Sequence, residues 1–284
     1  MYHDVNSMGT TAPTTSLPPR PGPASMSDLD DYIAGLGQCE ATTHIELDRD
    51  AEIAYMLEER FHFRQILRAL TRRESPARIL DVGTTPFTLF LAEAYPGSEV
   101  HTVDRTDLLQ ARCAVHGVGH HVCDLDNDAL PFADEFFDVV IFTEVLEHVF
   151  APPSRVLGEM FRILRPGGSL VISVPNIAAL HKRIKLLFGL TPLPPPDIQM
   201  QKDWVHGHGH LHEYTRKELV GLLRGCGFTA ERTKFMRPRV GDALATRHRR
   251  PAARVMRAAY HAIQALWPAF GTQIFVECRR PAGR

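Results

Sequence analysis

Between Arg78 and Asp104 the chain reads RILDVGTTPFTLFLAEAYPGSEVHTVD. Arg78 to Gly83 is a branched apolar run ending in Asp81 and Gly83, and after a break at Pro86 the apolar residues Phe87, Phe90, Leu91 and Ala94 recur at helical spacing. This pattern predicts a strand, a tight turn and a helix. Pro96 and Gly97 stop the helix, and Glu99 to Val103 predicts a second strand closing on Asp104. A strand, a crossover helix and a parallel strand make half of a nucleotide-binding sheet.

The rest of the chain continues the alternation. Upstream, Ile53, Met56, Leu57, Phe61, Phe63, Ile66, Leu67 and Leu70 recur at helical intervals and predict a helix or helix pair from Glu46 to Arg72. Downstream come a helical segment near Leu108 to Ala114 and a short strand, His120 to Cys123. The continuous apolar run Phe136 to Phe142 suits a strand buried on both faces. Pro152 and Pro153 open a helix that Pro166-Gly167-Gly168 is expected to close, with a strand from Ser169 to Val174. Residues 1–28, rich in Pro, Thr and Ser, predict a disordered tail, and 29–75 a helical segment.

The turn at Gly83 decides what the half-sheet can hold. Backbone N–H groups there, with the following helix N-terminus, favour a negatively charged ligand group, and Asp104 at the tip of the second strand can accept from both hydroxyls of a ribose. A loop-capping aspartate is the plainer reading of Asp104. The dinucleotide fingerprint needs glycines against a pyrophosphate, and Gly83-Thr84-Thr85-Pro86-Phe87-Thr88 offers only the first. A nucleoside with an anionic end group therefore fits better than a dinucleotide.

Asp81-x-Gly83 resembles motif I of the class I S-adenosylmethionine-dependent methyltransferases, with Thr85 and Phe87 in place of the later glycines. In the order that this family shows follow Asp104, Cys123-Asp124-Leu125, Glu144-Val145-Leu146-Glu147-His148-Val149 and Leu164-Arg165-Pro166-Gly167-Gly168. The similarity runs from Arg78 to Asn176 and resumes at His210 to Phe228, where Thr215 and Glu218 form a capping box. The resemblance is to small-molecule methyltransferases. It implies an α/β, Rossmann-like sheet of seven mostly parallel strands with an antiparallel last strand and helices on both faces. The domain would span 76–284, with strands near Phe228 to Phe235 and Thr272 to Cys278 and inserts at about 177–212 and 237–270.

The cofactor it implies is S-adenosyl-L-methionine, held by Asp81, Gly83, Thr84, Thr85, Asp104, Asp124, Leu125 and Glu144. Asp124 would take the adenine amino group and Leu125 offer a backbone N–H, although a solvated turn aspartate remains open. Thr84 and Thr85 would either meet the methionine carboxylate or only turn the chain. Glu144 and His148 would flank the transferable methyl, His148 as a candidate base or as a packed residue at a helix start. His210, His212 and Tyr214 would face the acceptor. The run His206-Gly207-His208-Gly209-His210-Leu211-His212 has spacing that could ligate zinc or nickel, yet the resemblance implies acceptor contact there with no metal.

Composition narrows the partners. The chain has 284 residues, 44% of them hydrophobic, and a formal net charge of −1, so nothing global points to nucleic acid. Five scattered cysteines without a C-x-x-C pair predict reduced thiols in a cytoplasmic protein. No signal peptide and no bilayer-spanning apolar run is read. The basic amphipathic stretches Ile177 to Leu190 and Val255 to Trp267 suit a lid over the acceptor or peripheral membrane contact. The expected activity is methyl transfer to a small or medium-sized acceptor, a hydroxyl or amine of a glycosyl, lipid-linked or secondary metabolite. The alternatives are a nicotinamide-dependent oxidoreductase or epimerase, and a non-catalytic nucleoside-binding module.

Overall fold

The computed structural model describes residues 26–36, 49–72, 76–193, 209–236, 262–264 and 266–283. Two helices lead in, α1 (Met26–Leu36) and α2 (Arg49–Leu70). They are followed by β1 (Arg78–Val82), α3 (Pro86–Ala94), β2 (Glu99–Asp104), α4 (Gln110–Val115), β3 (Gly119–Val122) and β4 (Phe137–Thr143). The second half comprises α5 (Pro153–Ile163), β5 (Leu164–Pro175), α6 (Leu180–Leu187), α7 (Arg216–Gly225), β6 (Thr229–Met236) and β7 (Gln273–Arg279).

The strands form one seven-stranded sheet in the order β3-β2-β1-β4-β5-β7-β6. β7 runs antiparallel to both of its neighbours, and the pairs among β1 to β5 are parallel. β4, apolar at nearly every position, is central and buried throughout except at Thr143. Its one acidic residue, Asp138, takes the backbone N–H groups of Ala77 and Arg78 at 2.6 and 2.8 Å, which fixes the entry of β1 beside it. One core lies between the sheet and α5 and α7; the other lies under α1 to α4. In the second, Phe63 of α2 stacks on Phe87 of α3 with ring centroids 4.3 Å apart.

Chain order reverses between β1 and β4, because the chain builds outward to β3 and then returns to the other side of β1. Ligands of open parallel sheets bind at the carboxyl ends of strands at such a reversal.

Several features differ from the sequence reading. Residues 1–25 of the expected tail lie outside the described residues, but 26–28 belong to α1, whose Leu29 and Ile33 are buried one turn apart. The helix opened by Pro153 ends at Ile163, well short of Pro166, and β5 begins at Leu164 in extended conformation. Proline disfavours helical backbone in the residue before it, so Arg165 cannot continue the helix. On α2 the apolar stripe is narrower than expected, since Leu57 and Phe61 are exposed. Within the expected Glu46–Arg72 segment, Arg49–Leu70 is a single helix, and the Thr215–Glu218 capping box is present at the start of α7. Of the inserts, residues 194–208 and 237–261 lie outside the described residues. No helix among the described residues is long and apolar enough to cross a membrane. Cys113, Cys123, Cys226 and Cys278 are free thiols, and Cys39 lies outside the described residues.

Candidate active site

The turn after β1 is held by its own polar residues. Gly83 has φ +91°, a conformation that side chains other than glycine rarely adopt, and its N–H meets the Val103 carbonyl at 2.9 Å. The next N–H, of Thr84, donates to Asp104 Oδ2 at 3.0 Å, and the Thr84 and Thr102 hydroxyls lie 3.0 Å apart. The Thr88 hydroxyl accepts the Thr85 N–H at 3.0 Å and donates to Asp81 Oδ2 at 2.6 Å. Threonines thus shape the loop after Gly83. Asp81 is only 4% exposed, and burial pushes its carboxyl up to about 7, with the Thr88 hydrogen bond opposing.

Asp104 also accepts the Thr106 N–H at 3.3 Å on its other oxygen. Each carboxylate oxygen carries two lone pairs, so one hydrogen bond per oxygen leaves capacity for a ligand hydroxyl. Asp124, beyond β3, is engaged locally: its oxygens accept the Asp126 N–H at 3.1 Å and the Asn127 side chain at 2.8 Å. These local bonds agree with the turn-aspartate alternative as well as with a ligand role. Leu125 packs partly buried against the core.

At the tip of β4, Glu144 has φ +55°, uncommon for a residue with a side chain. The outlier turns the chain into the short 3₁₀ turn Leu146–His148. The Ser173 hydroxyl of β5 donates to Glu144 Oε1 at 2.8 Å. Facing this from α2 is a polar stripe that sequence reasoning missed, Tyr55, Glu59 and His62, at intervals of four and three residues. Burial, then the Glu144 charge, raises Glu59 to about 7. Burial and the Glu59, Asp81 and Glu144 carboxylates push the Tyr55 phenol above its usual range, against a hydrogen bond with Thr85. His62 lies 3.3 Å from the Ser173 hydroxyl, and burial lowers it to about 4, so it is neutral at physiological pH. Glu59 thus senses the Glu144 charge, and Asp81, Glu59 and Glu144 all act on the Tyr55 phenol. The signal available in the sequence was the polar stripe on an otherwise amphipathic helix.

Beside this lies a second group. The rings of His148 and His210 meet edge to face with centroids 4.9 Å apart. His210 Nδ1 lies 3.1 Å from Glu213 Oε1, and Lys182 of α6 pairs with the other oxygen of the same buried carboxylate. The Leu211 N–H donates to the Glu147 carbonyl at 2.7 Å, tying the 209–214 loop to the 3₁₀ turn. The Glu147 side chain is fully buried and neither carboxylate oxygen has a hydrogen-bond partner. Burial, then Glu144, raises its carboxyl well above the ordinary range. His212 turns outward, with Nε2 2.8 Å from Glu218 Oε1. Tyr214 is buried in the core beside β5, where its backbone bridges Asn176, and burial raises its phenol to about 12. The structure thus brings the His148 and His210 rings together, while His212 pairs with Glu218 and Tyr214 packs in the core. His206 and His208 lie outside the described residues.

Comparison with known proteins gives this geometry its context. A family profile described as "Methyltransferase domain" matches residues 51–233. The demethylmenaquinone methyltransferase of Thermus thermophilus is 36% identical over 109 residues, 36% of this chain and 49% of that protein. A ubiquinone/menaquinone biosynthesis C-methyltransferase of Desulfotalea psychrophila is 30% identical over 177 residues, 58% of this chain and 71% of the relative. The match to the Thermus protein thus spans about half of its length. Among solved structures, an S-adenosylmethionine-dependent methyltransferase from Mesorhizobium loti shares the fold with TM-score 0.51 at 21% identity, over 78% of this chain and 98% of that one.

Proposed function

The chain belongs to the class I S-adenosylmethionine-dependent methyltransferases, and from that premise we propose that it methylates a hydroxyl or amine of a lipid-linked acceptor. The observation that supports the cofactor assignment is the Gly83–Thr85 turn held between Asp81 and Asp104, with raised carboxyls at Asp81, Glu59 and Glu144 near it. S-adenosylmethionine brings a sulfonium and an ammonium, and cations at that place let these carboxyls ionise. A nicotinamide dinucleotide would bring two phosphate charges to the same acids, which counts against an oxidoreductase or epimerase.

Asp81 and Glu144 would hold the amino-acid end, Asp104 the ribose hydroxyls, and Gly83, Thr84 and Thr85 would give the backbone its close approach. Asp124 and Leu125 would meet the adenine. The bound cofactor supplies a methyl group already activated by positive sulfur. What remains for the chain is to align the acceptor for in-line attack and to manage its proton. His148 and His210, whose rings meet edge to face near the tip of β4, would take that task.

The acceptor class rests on α6. Lys182 anchors this helix to Glu213 and so to His210, while Leu186, Leu187 and Phe188 are exposed on it. An apolar and basic surface beside the site suits an acceptor delivered from a lipid phase. The quinone-related names of the two relatives agree with a lipid-linked acceptor, while one of them, a C-methyltransferase, is named for a different atom.

Calorimetry with S-adenosylhomocysteine and with NAD tests the cofactor assignment. Stoichiometric binding of S-adenosylhomocysteine and none of NAD is expected. The reverse pattern would overturn it.

A further inference from the structure

Among the described residues, the buried Glu147 carboxylate has no hydrogen-bond partner. Leaving a polar group buried and unpaired costs about 1–3 kcal/mol, and more for a charged one. Three ligand atoms, one each from Glu147, His148 and His210, lie within 4.8 Å of one another. His148 Nε2 is 3.9 Å from Glu147 Oε1, too long for a hydrogen bond. It is a natural separation for two atoms sharing a third. Zinc–nitrogen and zinc–oxygen bonds of about 2.0–2.2 Å place two ligands of one ion up to about 4 Å apart, so small side-chain adjustments would close this set.

We propose that Glu147, His148 and His210 form a site for a divalent first-row transition ion, oriented by Glu213 and placed to receive the oxygen of the acceptor. The inference rests on the methyltransferase reading for its role, though not for its existence. It reverses the expectation that no metal is used.

Four features argue for a built site. The donor set, one carboxylate and two imidazoles, matches ions such as zinc, manganese, iron(II) or cobalt rather than magnesium or calcium, which prefer oxygen alone. The Glu213 carboxylate holds His210 Nδ1, so Nε2 is the nitrogen turned away from Glu213, the arrangement that carboxylates impose on metal-binding histidines. Lys182 in turn fixes Glu213 from α6. The hydrogen bond from Leu211 N–H to the Glu147 carbonyl brings the loop carrying His210 onto the 3₁₀ turn carrying the other two ligands, so the site is held before any ion arrives. Ring packing between the histidines explains their own contact and leaves both Glu147 oxygens without a partner.

With three protein ligands, positions remain open for an exogenous oxygen. An acceptor hydroxyl bound there has its pKa lowered and releases its proton to solvent. Its oxygen then forms the new bond to the methyl carbon as the carbon–sulfur bond breaks. The products are a methyl ether, neutral S-adenosylhomocysteine and one proton, so charge and atoms balance. This narrows the acceptor from hydroxyl or amine to hydroxyl.

The test is metal binding by the full chain after stripping with a strong chelator. Zinc is titrated by calorimetry, and cobalt(II) is followed by its visible absorption, which reports imidazole and carboxylate ligation directly. One ion per chain is expected, with affinity reduced at least tenfold in Glu147→Gln, His148→Gln and His210→Gln. Glu213→Gln should weaken it tenfold to a hundredfold, as for other orienting partners. S-adenosylhomocysteine binding, measured on the same preparations, certifies that each variant is folded. A chain that binds S-adenosylhomocysteine but takes up no zinc or cobalt would overturn the proposal. So would an ion whose affinity is indifferent to all three ligand variants, which would lie elsewhere, for instance at His206 and His208. An ion bound at these residues by a chain with no affinity for S-adenosylhomocysteine would instead sink the methyltransferase reading and leave the metal site standing.

Discussion

The Thr88 hydroxyl, one turn into α3, donates to Asp81 Oδ2 at 2.6 Å and so ties the helix to the last turn of β1. That single bond does not offset the burial of the carboxyl, which is raised from 3.8 to about 7. Between about pH 4 and 7 the unfolded chain ionises this aspartate and the folded chain does not, so its contribution to stability falls as pH rises through that window. The loss is on the order of 4 kcal/mol once the folded group must also ionise. Asp81→Asn should flatten this part of the stability–pH profile, as read by urea denaturation. Because a bound ammonium favours the ionised form, S-adenosylhomocysteine affinity should rise between pH 6 and 8 in the native protein and not in Asp81→Asn. Equal slopes in both would remove Asp81 from the cofactor site.

Asp104 is pinned by the N–H groups of Thr84 and Thr106 and keeps lone pairs for the ribose. Asp104→Ala should weaken S-adenosylhomocysteine binding by about 1.5–3 kcal/mol, the scale of charge-assisted hydrogen bonds lost. Asp104→Asn, which retains one acceptor oxygen for the loop, should lose less. Unchanged affinity in a folded Asp104→Ala protein would reduce this residue to a loop cap.

Gly83 is the one glycine of the motif that the turn requires. An added Cβ would stand 3.5 Å from Val145 Cγ2, an ordinary contact, so the penalty comes from φ +91° and not from crowding. Gly83→Ala should cost about 1–2 kcal/mol of stability, the left-handed penalty for a side chain. Cofactor affinity should fall with it. A fully stable variant would mean that the turn relaxes to another conformation.

Much of this was legible beforehand because strands and motif residues are local. The run Phe136 to Phe142 announces a buried central strand through composition alone, and Asp81, Gly83, Asp104 and Glu144 mark strand ends by position. What stayed hidden depends on tertiary contact. Glu147 stood in its motif with no role, since only the fold shows that its carboxylate is buried without a hydrogen-bond partner among the described residues. Glu213 gains meaning from Lys182, which is 31 residues away in the chain. His212 read as equivalent to His210, but Glu218, placed by the capping box of α7, takes it outward. The α2 stripe meets the site through tertiary contact, with Phe63 of the same helix stacked on Phe87 of α3.

The outward face of α6 makes the remaining prediction. Leu187 is 81% and Phe188 74% exposed, and Trp267 and Leu266 beyond them are 57% and 72% exposed. Arg183 joins the two groups, its guanidinium 5.4 Å from the centre of the Phe270 ring. Lys182 points inward to Glu213, which leaves Arg183 and Lys185 as the basic residues on the exposed side. A lid would turn its apolar side chains toward the acceptor; here they face solvent. Burying a Leu or Phe side chain in lipid contributes about 1.5–3 kcal/mol, and a basic residue at an anionic surface about 1 kcal/mol. The native protein should therefore sediment with anionic phospholipid vesicles, less so as salt is raised. Leu187→Ser combined with Phe188→Ser should lower vesicle binding at least tenfold while S-adenosylhomocysteine affinity is kept. If neither protein sediments, and the double variant instead loses turnover on a water-soluble acceptor, α6 is a lid that closes over the site from a position other than the one it occupies here.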